Sequence, residues 1–191
     1  RALIETLDAL GVESAAVVGH SMGGMYAVSL LAEHARRFPK GVLVASGGTP
    51  VRMGPQIKAM ITYYANPGPE QMATNLRGDV GDPRCLDGIL DELVAERVAL
   101  AEAAGIREAH ESTFARDAPG LVFSAADIAA VAQPVLLVHG DSDQVIPAAA
   151  SEFLAEHLPH GRLEVRPRLG HWPMWEDPQW FRTLVGEFLT A

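Results

Sequence analysis

The chain has 191 residues, 48% of them hydrophobic, and a formal net charge of −9 at pH 7. A chain of this length and composition can bury one substantial core, which excludes a disordered or fibrous protein. Its apolar segments are short and interrupted by charged residues, Gly or Pro, so the sequence predicts no membrane span, no signal-peptide core and no membrane partner. The acidic charge, with no run of Lys or Arg, argues against nucleic acid as a partner.

Cysteine usage bears on location and metal binding. The single Cys85 cannot form an internal disulfide, and no paired Cys spacing indicates a thiolate metal site. The sequence therefore predicts a cytoplasmic protein without a metal, and it leaves open whether the chain forms a homo-oligomer.

The first part of the chain alternates helical and strand patterns. The predicted elements are a helix that ends at Gly11, a strand at 15–18, a helix at 22–37 and a strand at 41–45. A strand, a helix and a second strand in succession imply a parallel pair.

Beyond residue 48 the texture changes. Helical stretches with scattered Pro and Gly run from about 55 to 127 with no clear strand, and α/β alternation then returns. The later predicted elements are a strand at 133–140, a helix at 147–157, a strand at 162–167 and a helix at 175–189. We therefore predict a core at 1–48, an inserted helical lid at 49–127 and a second core segment at 128–191.

The stretch "VVGHSMGGMYAVSLL" places Ser21 at the tip of a turn between a predicted strand and a predicted helix. Gly19-x-Ser21-x-Gly23 in this context is the pattern of a nucleophile elbow, in which a tight turn needs small neighbours and projects the serine above the sheet. The Met22 N–H, at the start of the helix, would help to stabilise an oxyanion. A glycine-rich turn with a capping serine is the alternative, and the flanking strand and helix favour the elbow.

A serine hydroxyl is a weak nucleophile near neutral pH, so a base and an orienting carboxylate should follow it. Asp143 in "HGDSDQVIP" comes after one predicted strand, and His171 in "RLGHWPMWEDP" comes after the next. The order Ser21, Asp143, His171 is the one associated with a nucleophile elbow. Asp141 is the alternative carboxylate, and both aspartates could instead be turn residues.

The other histidines are weaker candidates for the base. Helical or charged segments hold four that we expect to be solvated: His34, His110, His157 and His160. His139, at a strand end, is expected to pack. His20 is the most direct competitor, although its place beside the serine in the turn should direct its ring elsewhere. A metal cluster of His20, His139 and His171 has no supporting ligand spacing.

The predicted lid contains one anomaly in "ILDELVAERVALAEA". Arg97 lies in the middle of the apolar face of a predicted helix, whereas Glu92 and Glu96 lie on the opposite side. Its stem could cover apolar surface while the guanidinium reaches water. An inward guanidinium could instead bind a substrate carboxylate through two parallel hydrogen bonds. Both interpretations remain open at this level.

Taken together, these residues resemble the α/β-hydrolase superfamily from the helix before the elbow to the C-terminus. The resemblance implies an α/β-hydrolase fold, with a mostly parallel sheet flanked by helices, an inserted helical lid and no metal or organic cofactor. It also implies that the superfamily's first strands, with a loop that donates a second oxyanion N–H, would precede Arg1. The sequence therefore predicts that this chain is a fragment that lacks the N-terminal part of the sheet.

Two stretches are similar to the meta-cleavage-product hydrolases, which split carbon-carbon bonds in ring-opened aromatic catabolites: "DELVAERVALAEAAGIREA" and "GHWPMWEDPQWFRTLVGEFL". The similarity implies a small-molecule dienoate substrate, with Arg97 on its carboxylate and Trp172 lining the pocket. That family usually has Asn where this chain has His20, which we also expect at the substrate. Many esterases, lactonases and perhydrolases share that histidine, so one of these is the alternative, and a noncatalytic binding module is the second.

Overall fold

A parallel sheet forms the centre of the computed structural model, which describes residues 2–115 and 121–191. The sheet has four strands in the order β1-β2-β3-β4, and each neighbouring pair is parallel. The strands are β1 (Val17–His20), β2 (Gly41–Val44), β3 (Val135–Gly140) and β4 (Gly161–Arg166). Because the strands are parallel, the loops that follow them all leave from the same edge of the sheet.

Ten α-helices lie in the described part of the chain. They are α1 (Ala2–Ala9), α2 (Met22–Glu33), α3 (Gln56–Ile61), α4 (Pro69–Asp79), α5 (Leu90–Ala101), α6 (Ile106–Thr113), α7 (Ala125–Ala129), α8 (Ala149–His157), α9 (Pro173–Glu176) and α10 (Pro178–Thr190). Short 3₁₀ turns occupy Tyr63–Ala65 and Pro83–Leu86. Among these residues, no helix is both long and apolar enough to cross a membrane.

Helices cover both faces of the two central strands, so β2 and β3 are buried along their whole length. Leu43, Val135 and Leu137 face a core formed with α2, α7 and α8. The alternate residues of the same strands face a second core, formed with α10. Successive side chains of these strands point to opposite faces, and both faces are buried. The strands are therefore continuous apolar runs in the sequence.

The helices α3 to α6 lie between β2 and β3 in chain order, where the sequence predicts a lid, and the described residues between these two strands contain no strand. This region has its own apolar cluster, centred on Leu76, Val80, Leu86 and Val94. Residues 116–120 of the predicted lid, like Arg1, lie outside the described residues. The division at 49 and 127 stays a prediction.

Two predicted helices differ from those observed. The helix predicted over 22–37 ends at Glu33, because His34 leaves the helical conformation at φ −128° and ψ 42° and Pro39 follows shortly after. The helix predicted over 175–189 is two helices, α9 and α10. Asp177 separates them in a non-helical conformation and caps α10 by accepting a hydrogen bond from Trp180 N at 3.2 Å.

Candidate active site

The predicted nucleophile, acid and base all follow the carboxyl ends of strands. Ser21 comes directly after β1, Asp143 is three residues after β3, and His171 is five residues after β4. The parallel sheet brings these three loops to one edge, where ligand sites of open α/β sheets form.

Ser21 occupies a strained turn. Its φ of 55° and ψ of −118° lie outside the regions favoured by non-glycine residues. The turn is held by the Ser21 N–H, which donates to the carbonyl of Val44 at 2.9 Å, and by its own carbonyl, which accepts from Gly24 N at 3.0 Å. Strain at one serine between a strand and a helix is the backbone signature of a nucleophile elbow. The turn also makes Met22 the first residue of α2.

The glycines around this serine differ in what they are needed for. A Cβ on Gly19 would collide with the main chain of Gly23 and Gly24, and a Cβ on Gly24 would collide with Ser46. A Cβ on Gly23 would meet nothing within 4 Å beyond its own helix and chain neighbours. The close approach therefore requires Gly19 and Gly24, whereas the second glycine of the sequence pattern has free space beside it.

Asp143 is buried and its carboxylate is fully hydrogen-bonded. Oδ1 accepts from the main-chain N–H groups of Val145 at 2.8 Å and Ile146 at 2.9 Å. Oδ2 lies 2.7 Å from His171 Nδ1 and 3.2 Å from His139 Nε2. Burial would raise the pKa of this carboxyl, but the hydrogen bonds from His139 and His171 outweigh it and lower the pKa to about 2. The group is therefore an anion aimed at His171.

His171 is only 2% exposed and is fixed at two points. Its main-chain N–H donates to the carbonyl of Asp79 at 2.7 Å, and its Nδ1 faces the Asp143 carboxylate. An Nδ1–H donated to that carboxylate leaves Nε2 as the acceptor, and Nε2 has no hydrogen-bond partner among the described residues. Ser21 and His171 both line one cavity, without a hydrogen bond between their side chains in this structure.

A second set of Ser, His and Asp side chains is buried in the core, and it shares Asp143 with the first. Ser151 Oγ is 2.6 Å from His139 Nδ1, and the other nitrogen of that ring is 2.8 Å from the carbonyl of Ile146 and 3.2 Å from Asp143. Ser151 and His139 are both 0% exposed, so no substrate reaches this serine. His139 therefore packs, as the sequence predicts, and it also contacts the carboxylate that is hydrogen-bonded to His171.

The cavity at this edge has a volume of about 580 Å³, within the usual range for small-molecule sites. The predicted site residues that line it are His20, Ser21, Arg97, His171 and Trp172. Apolar and aromatic side chains from the helices between β2 and β3 also line it. The cavity is thus largely apolar with a few convergent polar groups, as expected of a site for a small organic molecule.

Arg97 reaches the cavity from α5. Leu93, Leu100 and Ala101 share its face of the helix and also line the cavity. The arginine side chain is exposed, and it forms no ion pair in the part of the chain that the structure describes. Its guanidinium therefore remains available to an anionic ligand.

His20 lies against the predicted base. Its Nε2 is 2.8 Å from the carbonyl of His171, and the two ring centroids are 4.7 Å apart. Burial and the neighbouring His171 lower the pKa of His20 to about 4. A neutral ring can donate its Nε2–H to that carbonyl, so a hydrogen bond from His20 holds the loop that carries His171.

The lowered pKa of His20 makes a prediction about stability. Between pH 6.5 and 4 the unfolded chain protonates this histidine and the folded chain does not, so its contribution to the free energy of unfolding falls as the pH falls. His20→Asn removes that loss. Relative to the wild type, the variant is expected to gain about 3 kcal/mol on going from pH 7 to pH 4, measured by urea unfolding. A difference that does not change with pH would contradict it, and His160→Asn, at an exposed position, is the control.

Two features of the cavity were not identified from the sequence. Asp79, at the end of α4, is 6% exposed and lines the cavity, and burial raises its pKa to about 7. His110, expected to be solvated, lines the cavity in an aromatic row between Tyr64 and Phe114, with centroid distances of 5.0 Å and 4.9 Å. Both residues reach the cavity because of how the helices pack over the sheet. Helical spacing in the sequence does not indicate that packing, so neither residue could be identified from it.

Within residues 2–115 and 121–191, no group of three or more His, Cys, Asp or Glu side chains is arranged to hold a metal ion. The polar groups that line the cavity instead include a serine, three histidines, an aspartate and an arginine. These groups can carry out nucleophilic and acid-base chemistry on an anionic organic molecule.

The fold and this site define a class of protein. A family model described as alpha/beta hydrolase fold matches residues 2–178, and the chain belongs to that family. The chain is 32% identical over 190 residues to the 2-hydroxymuconate semialdehyde hydrolase of Pseudomonas sp. strain CF600, a match that covers 97% of this chain and 65% of the relative. It is 31% identical to the 2-hydroxy-6-oxo-6-phenylhexa-2,4-dienoate hydrolase of Burkholderia cepacia, covering 99% of this chain and 67% of that one.

Comparison with a solved structure points to the same family as these relatives. A meta-cleavage product hydrolase from Pseudomonas fluorescens IP01 superposes with a TM-score of 0.90 at 30% identity, covering 98% of this chain and 69% of the other. The chain thus spans about two thirds of the length of the proteins that it matches. The predicted α/β-hydrolase fold and the resemblance to meta-cleavage-product hydrolases are confirmed.

Proposed function

We propose that this protein is a serine-triad hydrolase that cleaves a carbon-carbon bond in a 2-hydroxy-6-oxo-dienoate, a ring-opened product of aromatic catabolism. Ser21, Asp143 and His171 are the triad. The observation that carries the proposal is the cavity, which Ser21, His171 and Arg97 all line, with Arg97 in no ion pair among the described residues. The names of the relatives support the substrate class.

The triad roles follow from the contacts at the sheet edge. Asp143, held as an anion, keeps the His171 proton on Nδ1 and stabilises the imidazolium that forms during reaction. Nε2, which has no hydrogen-bond partner among the described residues, is then the base. Ser21 does not bond this nitrogen here, which does not oppose the assignment, because catalytic hydrogen bonds are often long or poorly aligned until substrate binds.

The proposed reaction has two stages. The dienol is first ketonised, which moves the hydroxyl proton to carbon and creates an electron sink beside the carboxylate end. His171 then assists attack on the distant ketone, by Ser21 or by a water that Ser21 positions, and the bond between that carbonyl carbon and its neighbour breaks. The electron pair of the broken bond passes into the sink, and the resulting dienolate takes up a proton. If water attacks, the former ketone leaves directly as a carboxylic acid; if Ser21 attacks, the acyl-enzyme that forms is hydrolysed by water to release the same acid and restore the serine.

The remaining roles belong to binding and to charge stabilisation. Arg97 holds the substrate carboxylate, Trp172 shapes the apolar wall, and His20 contacts substrate from the side of the nucleophile. The Met22 N–H, at the positive end of α2, donates to the oxyanion. The reaction uses no metal or organic cofactor, and the cytoplasmic location and a homo-oligomer remain predictions.

Arg97→Ala tests the substrate class. The variant is expected to lose about 2–5 kcal/mol of transition-state stabilisation toward a 2-hydroxy-6-oxo-dienoate, because the substrate carboxylate loses a charge-assisted partner. Hydrolysis of an uncharged aryl ester should change little. The measurement is kcat/KM for both substrates in the complete protein, from the bleaching of the dienoate and the release of the aryl alcohol.

The matched control is Arg77→Ala, which removes an exposed arginine of α4 that does not line the cavity. The wild type should prefer the dienoate by kcat/KM. Preference for the ester would assign the protein to the carboxylesterases or lactonases that share His20. If Arg97→Ala turned over the dienoate as fast as the wild type, Arg97 would not be a substrate-binding residue. If the wild type turned over neither substrate, the protein would be better explained as a binding module.

A further inference from the structure

The loop that carries His171 is in direct main-chain contact with the end of α4. The His171 N–H donates to the carbonyl of Asp79 at 2.7 Å. The neighbouring glycines allow this approach, because a Cβ on Gly170 would collide with the main chain of Val80 and Gly81, and a Cβ on Gly81 would collide with the main chain of residues 168–170. The predicted base and one wall of the cavity therefore meet backbone to backbone.

Glu176 joins these two segments through one carboxylate. Its Oε2 accepts from the N–H of Gly81 at 2.7 Å, and its Oε1 accepts from the N–H of Gly170 at 2.8 Å. Glu176 is the last residue of the short helix α9, five residues beyond His171. One side chain thus ties the residue before the base to the residues that follow Asp79.

The bond lengths and geometry favour a negatively charged Glu176 carboxylate in which each oxygen accepts one hydrogen bond. Both acceptor distances are in the range of charge-assisted bonds, and each oxygen serves a different segment of the chain. Glu176 forms no ion pair in the described part of the chain. Its two amide contacts are therefore its polar bonds there, and a neutral side chain of the same shape could satisfy only one of them as an acceptor.

We propose that Glu176 is a positioning residue that acts through Gly170 on His171, and that it fixes the base relative to the cavity wall formed by α4 and α5. Asp79 ends α4, and α4 packs against α5, which carries Arg97. The carboxylate therefore sets the distance between the group that binds the substrate anion and the group that moves its protons. This inference rests on the proposed function for its substrate, but its geometry does not depend on which substrate is cleaved.

The first test is Glu176→Gln, which keeps the length and shape of the side chain but places an amide NH₂ against one of the two N–H groups. We expect kcat to fall about 10- to 100-fold with KM changed less than about 3-fold, because a displaced base slows chemistry more than binding. The same fall should occur with the dienoate and with the aryl ester, since both use His171. Glu187→Gln, at an exposed carboxylate on α10, is the matched control.

The second readout does not need turnover. The proton between His171 Nδ1 and Asp143, across 2.7 Å, should give a far-downfield ¹H NMR resonance in the wild type. We expect Glu176→Gln to shift or broaden it and Glu187→Gln to leave it in place. A purely stabilising role would lower the unfolding midpoint without moving this resonance in the folded protein.

The outcomes separate this proposal from the proposed function. If the wild type hydrolyses the ester and not the dienoate, the substrate assignment fails while the ester kcat and the resonance still test Glu176. An unchanged kcat and an unchanged resonance in Glu176→Gln would overturn the positioning role. Should that variant not fold, Glu176→Asp takes its place, since it keeps the charge but is one methylene too short to reach both amides, and it should show a smaller fall in kcat.

Discussion

Ser21→Ala is expected to lower kcat for the dienoate by at least about 10⁴-fold, which would be the largest effect of any single substitution in the site. The alanine removes the proposed nucleophile, or the group that positions the attacking water. It leaves the strained turn in place, because the main-chain bonds to Val44 and Gly24 do not involve the side chain. Under the proposed function KM depends on contacts with Arg97 and the apolar residues of the cavity, so KM should change little.

Ser151→Ala distinguishes Ser21, which lines the cavity with His171, from Ser151, which bonds His139. Ser151 is fully buried and bonds only the far side of His139, so we expect its loss to lower kcat by less than about 10-fold. The measurement is single-turnover hydrolysis in both variants, with folding checked by circular dichroism. A collapse of activity in Ser151→Ala together with near-normal activity in Ser21→Ala would reject the elbow serine.

Asp143→Asn is expected to lower kcat by about 10⁴-fold at neutral pH. The asparagine can still accept from Val145 and Ile146 through its oxygen, so the loop should keep its shape. Its amide NH₂ would face His171 Nδ1, and that nitrogen must then become an acceptor. The histidine is thereby held in the tautomer that cannot take a proton from the serine or from water.

Asp141→Asn is the matched control for this substitution. Asp141 is exposed and its carboxylate accepts from the main-chain N–H of Arg168 at 2.7 Å, outside the cavity. We expect kcat within about 10-fold of the wild type. If the two variants lost activity in the reverse order, the carboxylate of the triad would be Asp141, the alternative that the sequence left open.

The sequence was most informative where local chemistry determines the structure. The strained turn at Ser21 could be predicted because Gly19, Ser21 and the apolar runs on either side are contiguous in the chain, and the strain is a property of one turn. Asp143 and His171 could be placed because each follows a recognisable buried or amphipathic strand, and parallel strands end at one edge. Their 2.7 Å contact confirms that the two loops meet.

Features that depend on packing between distant segments were beyond the sequence. The contact of His139 with Asp143 requires the loop after β3 to fold back on its own strand. The bridge formed by Glu176 requires two loops that lie 89 residues apart in the chain to meet, from Gly81 to Gly170. For Arg97 both interpretations remained open, since helical periodicity identifies a face but not whether that face borders a core or a cavity.

Folding lowers the pKa of His20 and raises the pKa of Asp79, and both residues line the cavity. These opposite shifts determine how many protons the two groups exchange with the buffer on folding. Near pH 5, His20 gives up a proton when the chain folds, because its pKa falls to about 4, and Asp79 takes one up, because its pKa rises to about 7. These two groups together exchange almost no protons with the buffer, so their combined effect on stability is nearly flat across mildly acidic pH. Above pH 6.5 only the aspartate still contributes a slope, and folding there draws protons from solution. Calorimetric unfolding in buffers of different ionisation enthalpy would detect the change from proton-neutral to proton-consuming folding.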